Sequence, residues 1–281
     1  MSTVGPDLQA WHRTAEIWIS QADRMAEITA GASDALVAAL APEPGQRLID
    51  VAAGAGDPAL RLARLVGPRG AILATDGVPA MCEELARRAA AAGLPQLAVR
   101  CVPAEQLDVP PGSFDGACCR FGAMFFADPH EALARMRRAV RADGRLVLAV
   151  WGAKEANPYF TLVTEAFDGI GAPAVPATGM RTVFEYAQPG LLAGLATAAG
   201  WQAVREDAAD LSMTLPGTSP DTLLDTLASL SGRVGDRLAL LPPADHAAAR
   251  AAVSRGAQRL VRGADIVFPA RILIVSGRAG R

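Results

Sequence analysis

Apolar residues along the chain follow two patterns, short continuous runs and helical spacing. Five apolar runs follow one another in the first half of the chain: Leu48–Ala53, Ala71–Thr75, Leu97–Val102, Phe114–Cys119 and Leu146–Trp151. Three segments between the runs each begin at or near a proline, which suits a first helical turn: Pro58–Val66, Pro79–Ala92 and Pro129–Val140. Apolar strands that alternate with helices are typical of a parallel sheet covered on both faces. The pattern therefore predicts a doubly wound α/β core over residues 46–152.

The segments outside this core have a different pattern. Residues 1–45 have apolar positions near helical spacing, closed by Pro42 and Pro44, and predict an N-terminal helical lid. Residues 153–187 are rich in proline and glycine and predict an insertion or second lid. The later segments predict a helix at 188–199, a strand at 201–215, helices near 220–231 and 243–262, and a last strand at Ile266–Ser276.

These patterns predict four regions along the chain. The regions are the lid at 1–45, the core at 46–152, an acceptor-side lid with remaining core elements at 153–265, and the last strand of the sheet at 266–281. The sequence contains no internal repeat.

The composition excludes several classes of protein. The chain has 281 residues, 51% of them hydrophobic, so it can bury a sizeable core and is not a disordered chain. Lys and Arg number 27 and Asp and Glu 29, a formal charge of -2 that gives no net attraction for nucleic acid or an anionic membrane. The four cysteines have no CxxC or metal-ligand spacing, so no metal is implied. A mean hydropathy of +0.22 leaves room for a homodimer interface.

Two further absences bear on the compartment. The N-terminus lacks a basic region followed by an apolar stretch, so we expect no signal peptide. No apolar run reaches the roughly 18 residues that a membrane span requires. We therefore expect a cytoplasmic protein without a membrane or nucleic-acid partner.

The segment LIDVAAGAGDPALRLA, residues 48–63, carries the strongest chemical signal. A strand ends near an acid, Asp50, passes through small residues to Gly54 and Gly56, and opens a helix. Small residues let a backbone approach a ligand closely, and N–H groups at a helix start point toward an anionic group. Asp76 ends the next strand, where a carboxylate can accept both hydroxyls of a ribose. The sequence therefore predicts a nucleotide-type ligand.

Two ligands are compatible with this loop. The pattern Gly54-x-Gly56-x-x-Ala59 satisfies the permissive dinucleotide fingerprint and would suit a nicotinamide-dependent dehydrogenase. The carboxylate of Asp50 would instead attract a cationic ligand group and repel a pyrophosphate. S-adenosylmethionine carries an ammonium, a sulfonium and a ribose, so Asp50 and Asp76 suit it better.

A series of motifs in order resembles a known family. DVAAGAGD at Asp50–Asp57, ATDGVPAMCEELARR around Asp76, PAEQLDVPPGSFDG at Pro103–Gly116 and the following CRFGAMFFADPHEALARMRRAVRADGRLVLAVWG resemble class I S-adenosylmethionine-dependent methyltransferases. The resemblance is densest over residues 46–152 and favours the small-molecule enzymes of the ubiquinone/menaquinone-methyltransferase-like group. It implies a seven-stranded, mostly parallel Rossmann-like sheet with S-adenosyl-L-methionine as cofactor.

The resemblance also implies roles for individual residues. Asp76 falls at the ribose position, Gly77 and Met81 at the adenine, and Arg120 near the methionine part of the cofactor. Where the family usually has an aspartate at the adenine amino group, this chain has Pro103, so we expect Ala104, Glu105 or backbone groups to replace it. The expected cofactor-binding set is Asp50, Ala52, Gly54, Gly56, Asp76, Gly77, Met81, Ala104, Glu105 and Arg120.

The residues that would handle the acceptor are less distinctive. Trp18 in the N-terminal lid and Phe125 after the fourth core strand are expected to bind substrate, although core packing explains such aromatic residues equally well. His12 and His130 are the candidate general bases, since histidine titrates near neutral pH. An exposed or structurally paired histidine is the alternative for each.

These observations lead to one principal function and two alternatives. The principal hypothesis is in-line transfer of a methyl group from S-adenosylmethionine to an O, N or C atom of a small hydrophobic molecule. An aromatic or polyketide-like product of secondary metabolism is the expected acceptor. The alternatives are an S-adenosylmethionine-binding protein that senses the ligand or catalyses a reaction other than methylation, and the nicotinamide dehydrogenase.

Overall fold

The fold is a single twisted sheet with helices on both faces. The computed structural model describes residues 6–173 and 181–280. The strands are β1 (Arg47–Val51), β2 (Ala71–Asp76), β3 (Leu97–Cys101), β4 (Phe114–Arg120), β5 (Val140–Trp151), β6 (Trp201–Leu215), β7 (Val261–Arg262) and β8 (Asp265–Ala279). They are ordered β3-β2-β1-β4-β5-β8-β6, and the short β7 pairs only with β8.

The strand order places a topological switch point between β1 and β4. Strands β1 to β5 are mutually parallel. Strand β1 pairs with β2 on one side and with β4 on the other, so the strand order reverses at β1. In sheets of this kind ligands bind beyond the carboxyl ends of the strands at this switch point. The ends of β1, β2 and β4 therefore define the candidate site.

The predicted core elements are present, with small shifts at their ends. The helices of the core are α4 (Ala59–Val66), α5 (Pro79–Ala91) and α6 (Pro129–Ala139), close to the predicted segments. Strand β5 begins six residues earlier than the apolar run suggests, because Val140 pairs with Phe114 ahead of a register shift. The mostly parallel Rossmann-like sheet expected from the sequence is confirmed.

The C-terminal half completes the same sheet. Strand β8 lies antiparallel between β5 and β6, so the sheet ends in a mixed edge. The helices here are α7 (Pro158–Gly169), α8 (Leu191–Ala198), α9 (Leu223–Leu230), α10 (Gly232–Ala239) and α11 (His246–Ala257). The helix predicted to reach residue 262 is wrong at its end, because α11 stops at Ala257 and a turn at Gly263 pairs β7 with β8.

The proline- and glycine-rich segment at 153–187 contains regular structure. Helix α7 begins with Pro158 at its first turn and buries Leu162, Val163 and Phe167 on one side. Proline at a first helical turn needs no N–H donor, which is why a proline-rich stretch can still hold a helix. Residues 174–180 of the expected lid lie outside the described part of the chain.

The N-terminal segment forms three helices, and the first and the third of them pack against different parts of the core. They are α1 (Pro6–Ser20), α2 (Ala22–Ile28) and α3 (Ala30–Leu40). Helix α3 packs on the sheet and buries Leu36 and Leu40, whereas α1 contacts α5 beside the carboxyl ends of the strands. Part of the expected lid is thus a layer of the core. Within residues 6–173 and 181–280, no helix combines the length and apolar character needed to cross a membrane.

Candidate active site

The loop between β1 and α4 is held in a conformation that only small residues adopt easily. Ala52, Gly54 and Gly56 all have positive φ, at 57°, 53° and 114°. A Cβ at Gly54 would meet nothing within 4 Å, whereas one at Gly56 would lie 2.5 Å from Leu85 Cδ1 on α5. Gly56 therefore seats the loop on α5, and Gly54 leaves open space above the strand ends.

Asp76 connects this loop to the end of β2. Its carboxylate accepts the backbone N–H groups of Gly54 and Val78, each at 2.9 Å. Burial raises the pKa of Asp76, and these two N–H groups offset part of the rise. Each carboxylate oxygen has a further lone pair. Asp76 can therefore accept two hydroxyl groups of a ligand while still holding the loop.

Asp50 lies fully buried beneath the loop. Its Oδ1 accepts a hydrogen bond from the Cys118 thiol on β4 at 3.5 Å, and its Oδ2 has no partner. Burial raises the pKa of Asp50 to about 7. A buried acceptor without a partner is costly, and such groups cluster at functional sites. The unpartnered oxygen fits a cationic ligand above it.

Two strand ends carry non-glycine residues with left-handed backbone conformations. Ala52 follows β1 with φ 57°, and Phe121 follows β4 with φ 58°. The loops pack closely, since a Cβ at Gly122 would lie 2.4 Å from the Ala52 Cβ. Backbone strain of this kind collects at binding sites, where the surrounding structure maintains it.

Comparison with known proteins identifies the family. The chain is 30% identical over 246 residues to nocamycin O-methyltransferase of Saccharothrix syringae, covering 84% of this chain and 86% of that protein. The chain belongs to the class I S-adenosylmethionine-dependent methyltransferases. Its cofactor is S-adenosyl-L-methionine, as the sequence predicted, and the dehydrogenase interpretation of the glycine pattern is wrong.

Other comparisons agree with this assignment. A family model described as a methyltransferase domain matches residues 49–148. Demethylmenaquinone methyltransferase of Deinococcus radiodurans is 42% identical over 112 residues, which cover 39% of this chain and 44% of that protein. The YcgJ protein of Bacillus subtilis shares the fold with a TM-score of 0.57 at 18% identity, covering 89% of this chain and 99% of that one.

Helix α1 packs on the turn that follows β2 in the methyltransferase. A Cβ at Gly77 would lie 2.9 Å from Leu8 Cδ1, so α1 rests directly on the turn after Asp76. Ala15 of α1 packs with Val78 and Met81 in a small buried cluster. The expected adenine residues Gly77 and Met81 are thus gathered under α1.

The segment expected to replace the missing adenine aspartate has other partners. Ala104 is buried beside the end of β3. Glu105 Oε1 accepts the backbone N–H of Asp128 at 3.3 Å, just before α6 begins. Val102 donates its N–H to the Asp76 carbonyl at 2.8 Å. Glu105 therefore steadies the start of α6, and its contact with adenine stays a prediction.

Aromatic side chains form two separate groups near the loop, and Trp11 and Trp18 of the first group pack against the buried cluster of Ala15, Val78 and Met81. Trp11 lies between the two expected substrate residues, with its ring centroid 5.4 Å from Trp18 and 5.2 Å from Phe125. Phe121 stacks on Trp151 at 4.1 Å with an interplanar angle of 5°. No ligand role was predicted for Trp11 or Trp151, although Trp151 ends an apolar parallel strand and therefore lies at the carboxyl ends of the sheet.

The two predicted histidines lie in different surroundings. His12 is exposed on α1 and close enough to Asp76 for its charge to lower the pKa of that carboxyl. His130 is exposed at the start of α6, and its Nε2 lies 3.3 Å from the carbonyl oxygen of Ala198 on α8. The structure thus places His12 near Asp76 and turns the His130 ring toward α8.

Arg120 has protein partners at the end of β4. Its guanidinium donates to the Thr29 hydroxyl at 2.7 Å and to the Asp57 carbonyl oxygen at 3.2 Å. It also lies 3.3 Å from the Asp57 carboxylate and 5.3 Å above the Phe121 ring centroid. Its expected contact with the methionine part of the cofactor stays a prediction.

Proposed function

We propose that the enzyme transfers the methyl group of S-adenosylmethionine to a hydroxyl or enol oxygen of a small hydrophobic molecule by in-line displacement. The observation that carries this proposal is the stacked Phe121–Trp151 pair at the strand ends adjoining the cofactor loop. The relative named nocamycin O-methyltransferase, which matches most of the chain, supports oxygen as the target.

The cofactor-binding residues divide between the two ends of the loop. Asp76 would accept the ribose hydroxyls, and Met81 and Ala104 would contact the adenine from two sides. Asp50 would lie beneath the cationic end, where its unpartnered oxygen fits a positive charge. The bound cofactor supplies a methyl group already activated by the sulfonium.

The protein's own contribution is alignment and exclusion of water. Phe160 packs edge-on against Trp151 with ring centroids 4.9 Å apart, and Phe184 packs against Phe160 at 5.4 Å. Phe160 and Phe184 extend the apolar surface formed by Phe121 and Trp151 and would exclude water from a flat acceptor. Holding reactants in attack geometry can lower a barrier by roughly 7–11 kcal/mol, more than a modest base contributes.

The placement of the histidines favours transfer without a histidine base. We expect His130→Ala to keep kcat and the cofactor Kd within about twofold of wild type, because its ring is exposed and bonded to α8. His12→Ala should weaken cofactor binding several-fold with little change in kcat, since it acts at Asp76. Steady-state kinetics at saturating cofactor separate the two effects. A kcat lowered about 100-fold in His12→Ala would instead identify a general base.

The proposed function is tested with a panel of acceptors. Phenols, hydroquinones and enolic β-diketones are incubated with the enzyme and S-adenosylmethionine, beside amines of similar size. We expect S-adenosylhomocysteine release and a methylated oxygen in the first group. Consumption of an acceptor without S-adenosylhomocysteine release would show the non-methylating alternative, and methylated amines alone would overturn oxygen as the target.

A further inference from the structure

A part-buried polar network connects the cofactor loop to the N-terminal helices. At its centre is Asp57, the residue after Gly56. Ser33 on α3 donates to Asp57 Oδ2 at 2.8 Å, and Arg120 Nη2 lies 3.3 Å from the same oxygen. Arg120 Nε donates to the Asp57 carbonyl oxygen at 3.2 Å, and Nη1 donates to the Thr29 hydroxyl at 2.7 Å. One guanidinium thus joins the end of β4, the cofactor loop and the junction of α2 with α3.

The geometry suits arginine and no other cation. All three guanidinium nitrogens of Arg120 have protein partners, in directions that a planar fork can satisfy and an ammonium cannot. The side chains of Arg120 and Asp57 are only 15% and 22% exposed, so water screens the pair weakly. Arg120 therefore acts on the loop itself.

The same pair faces the buried carboxyl of Asp50. The titratable and charged groups around this carboxyl come from β4, the cofactor loop and the end of β2, and they are Cys118, Cys119, Arg120, Asp57 and Asp76. Burial is the main reason that the pKa of Asp50 is raised, while the Arg120 charge lowers it and the Asp57 charge raises it. The two members of the pair thus shift the pKa of Asp50 in opposite directions.

We propose that Arg120 and Asp57 are a positioning pair that fixes the cofactor loop against α2 and α3 and so acts on cofactor binding at Asp50. The proposal rests on the proposed function, because it needs the cationic end of S-adenosylmethionine to lie over Asp50. It gives Thr29 and Ser33 a part in cofactor binding, since both hold the pair in place.

The test is the pH dependence of S-adenosylmethionine affinity, measured by calorimetry between pH 5.5 and 8.5. Wild type should bind more tightly as pH rises through the pKa of Asp50, about 7. Arg120→Met should move this midpoint upward and lower the limiting affinity about tenfold. Asp57→Asn should move the midpoint downward. Arg120→Lys should keep the wild-type midpoint, because it keeps the charge, while losing affinity through the lost fork.

An ion pair at the opposite edge of the sheet is the matched control. Arg141 binds Asp115 at 2.7 Å near the amino end of β4, so Arg141→Met should change neither midpoint nor affinity. Thermal unfolding of each variant reports whether it is folded. Midpoints that do not move in opposite directions, or an Arg120→Met affinity equal to wild type, overturn the proposal. A folded wild type that binds no S-adenosylmethionine overturns the proposed function as well.

Discussion

Replacing Asp76 with alanine is expected to weaken S-adenosylhomocysteine binding by about 100-fold or more. The variant loses the carboxylate that would accept two ribose hydroxyls, and bonds to a charged acceptor are worth about 1.5–3 kcal/mol each. It also frees the N–H groups of Gly54 and Val78, so the loop loses its anchor. Calorimetry with S-adenosylhomocysteine measures the loss, and a 100-fold change corresponds to about 2.7 kcal/mol.

Asp115→Ala is the control for a general loss of structure. The Asp115 carboxylate also accepts a backbone N–H, that of Arg47 at 2.7 Å, but at the amino end of β1. We expect this variant to lose stability and to keep its affinity for S-adenosylhomocysteine. If Asp76→Ala is folded and binds within threefold of wild type, the assignment of Asp76 to the ribose is wrong.

Replacing Asp50 with asparagine is expected to stabilise the fold at alkaline pH while weakening binding of the cofactor. The pKa of Asp50 is 3.8 in the unfolded chain and about 7 in the folded protein, since burial disfavours the charge. The folded state therefore loses stability as pH rises from 3.8 to 7, and the loss is complete above pH 7. Asparagine removes this penalty, a gain of at most about 4 kcal/mol at pH 8 that vanishes near pH 4.

Urea unfolding of wild type and Asp50→Asn at pH 5, 6.5 and 8 measures this gain. Asp115→Asn should show the opposite sign. Burial raises the pKa of Asp115, but the Arg47 N–H and the Arg141 guanidinium outweigh burial and lower it overall. That variant should therefore lose stability, most of all above the unfolded pKa of 3.8. An Asp50→Asn variant that is less stable than wild type at every pH would show that Asp50 is not a strained buried acid.

Much of the candidate site could be predicted because its signals are local. The small residues from Ala52 to Gly56 and the acid at Asp76 carry their meaning in a few neighbouring positions. Neighbouring parallel strands then bring their carboxyl ends together at the same end of the sheet, independently of the rest of the chain. The hydrogen bond from the Gly54 N–H to Asp76 joins the loop after β1 to the end of β2, two strands that are consecutive in the chain and adjacent in the sheet.

The acceptor side could not be predicted in the same way. Trp11 contacts Phe125 from a helix more than a hundred positions earlier, and no periodicity within either segment encodes that contact. The hydrogen bond from Arg120 to Thr29 is also a long-range contact, because β1, β2 and β3 lie between the two residues in the chain. The family resemblance implied a cofactor contact for Arg120, and its own segment shows only that it ends a strand.

The sequence by itself determined the parallel core, the cofactor loop and the two acids that frame it. These features depend on apolar runs, small residues and strand ends, each of which acts over a few residues. The tertiary structure decided that β8 enters between β5 and β6, that α3 belongs to the core, that Trp11 of α1 contacts Phe125, and that Phe121 stacks on Trp151 at the end of β5. Those arrangements arise from packing between distant segments, where many pairings bury similar apolar area and only the assembled chain selects one.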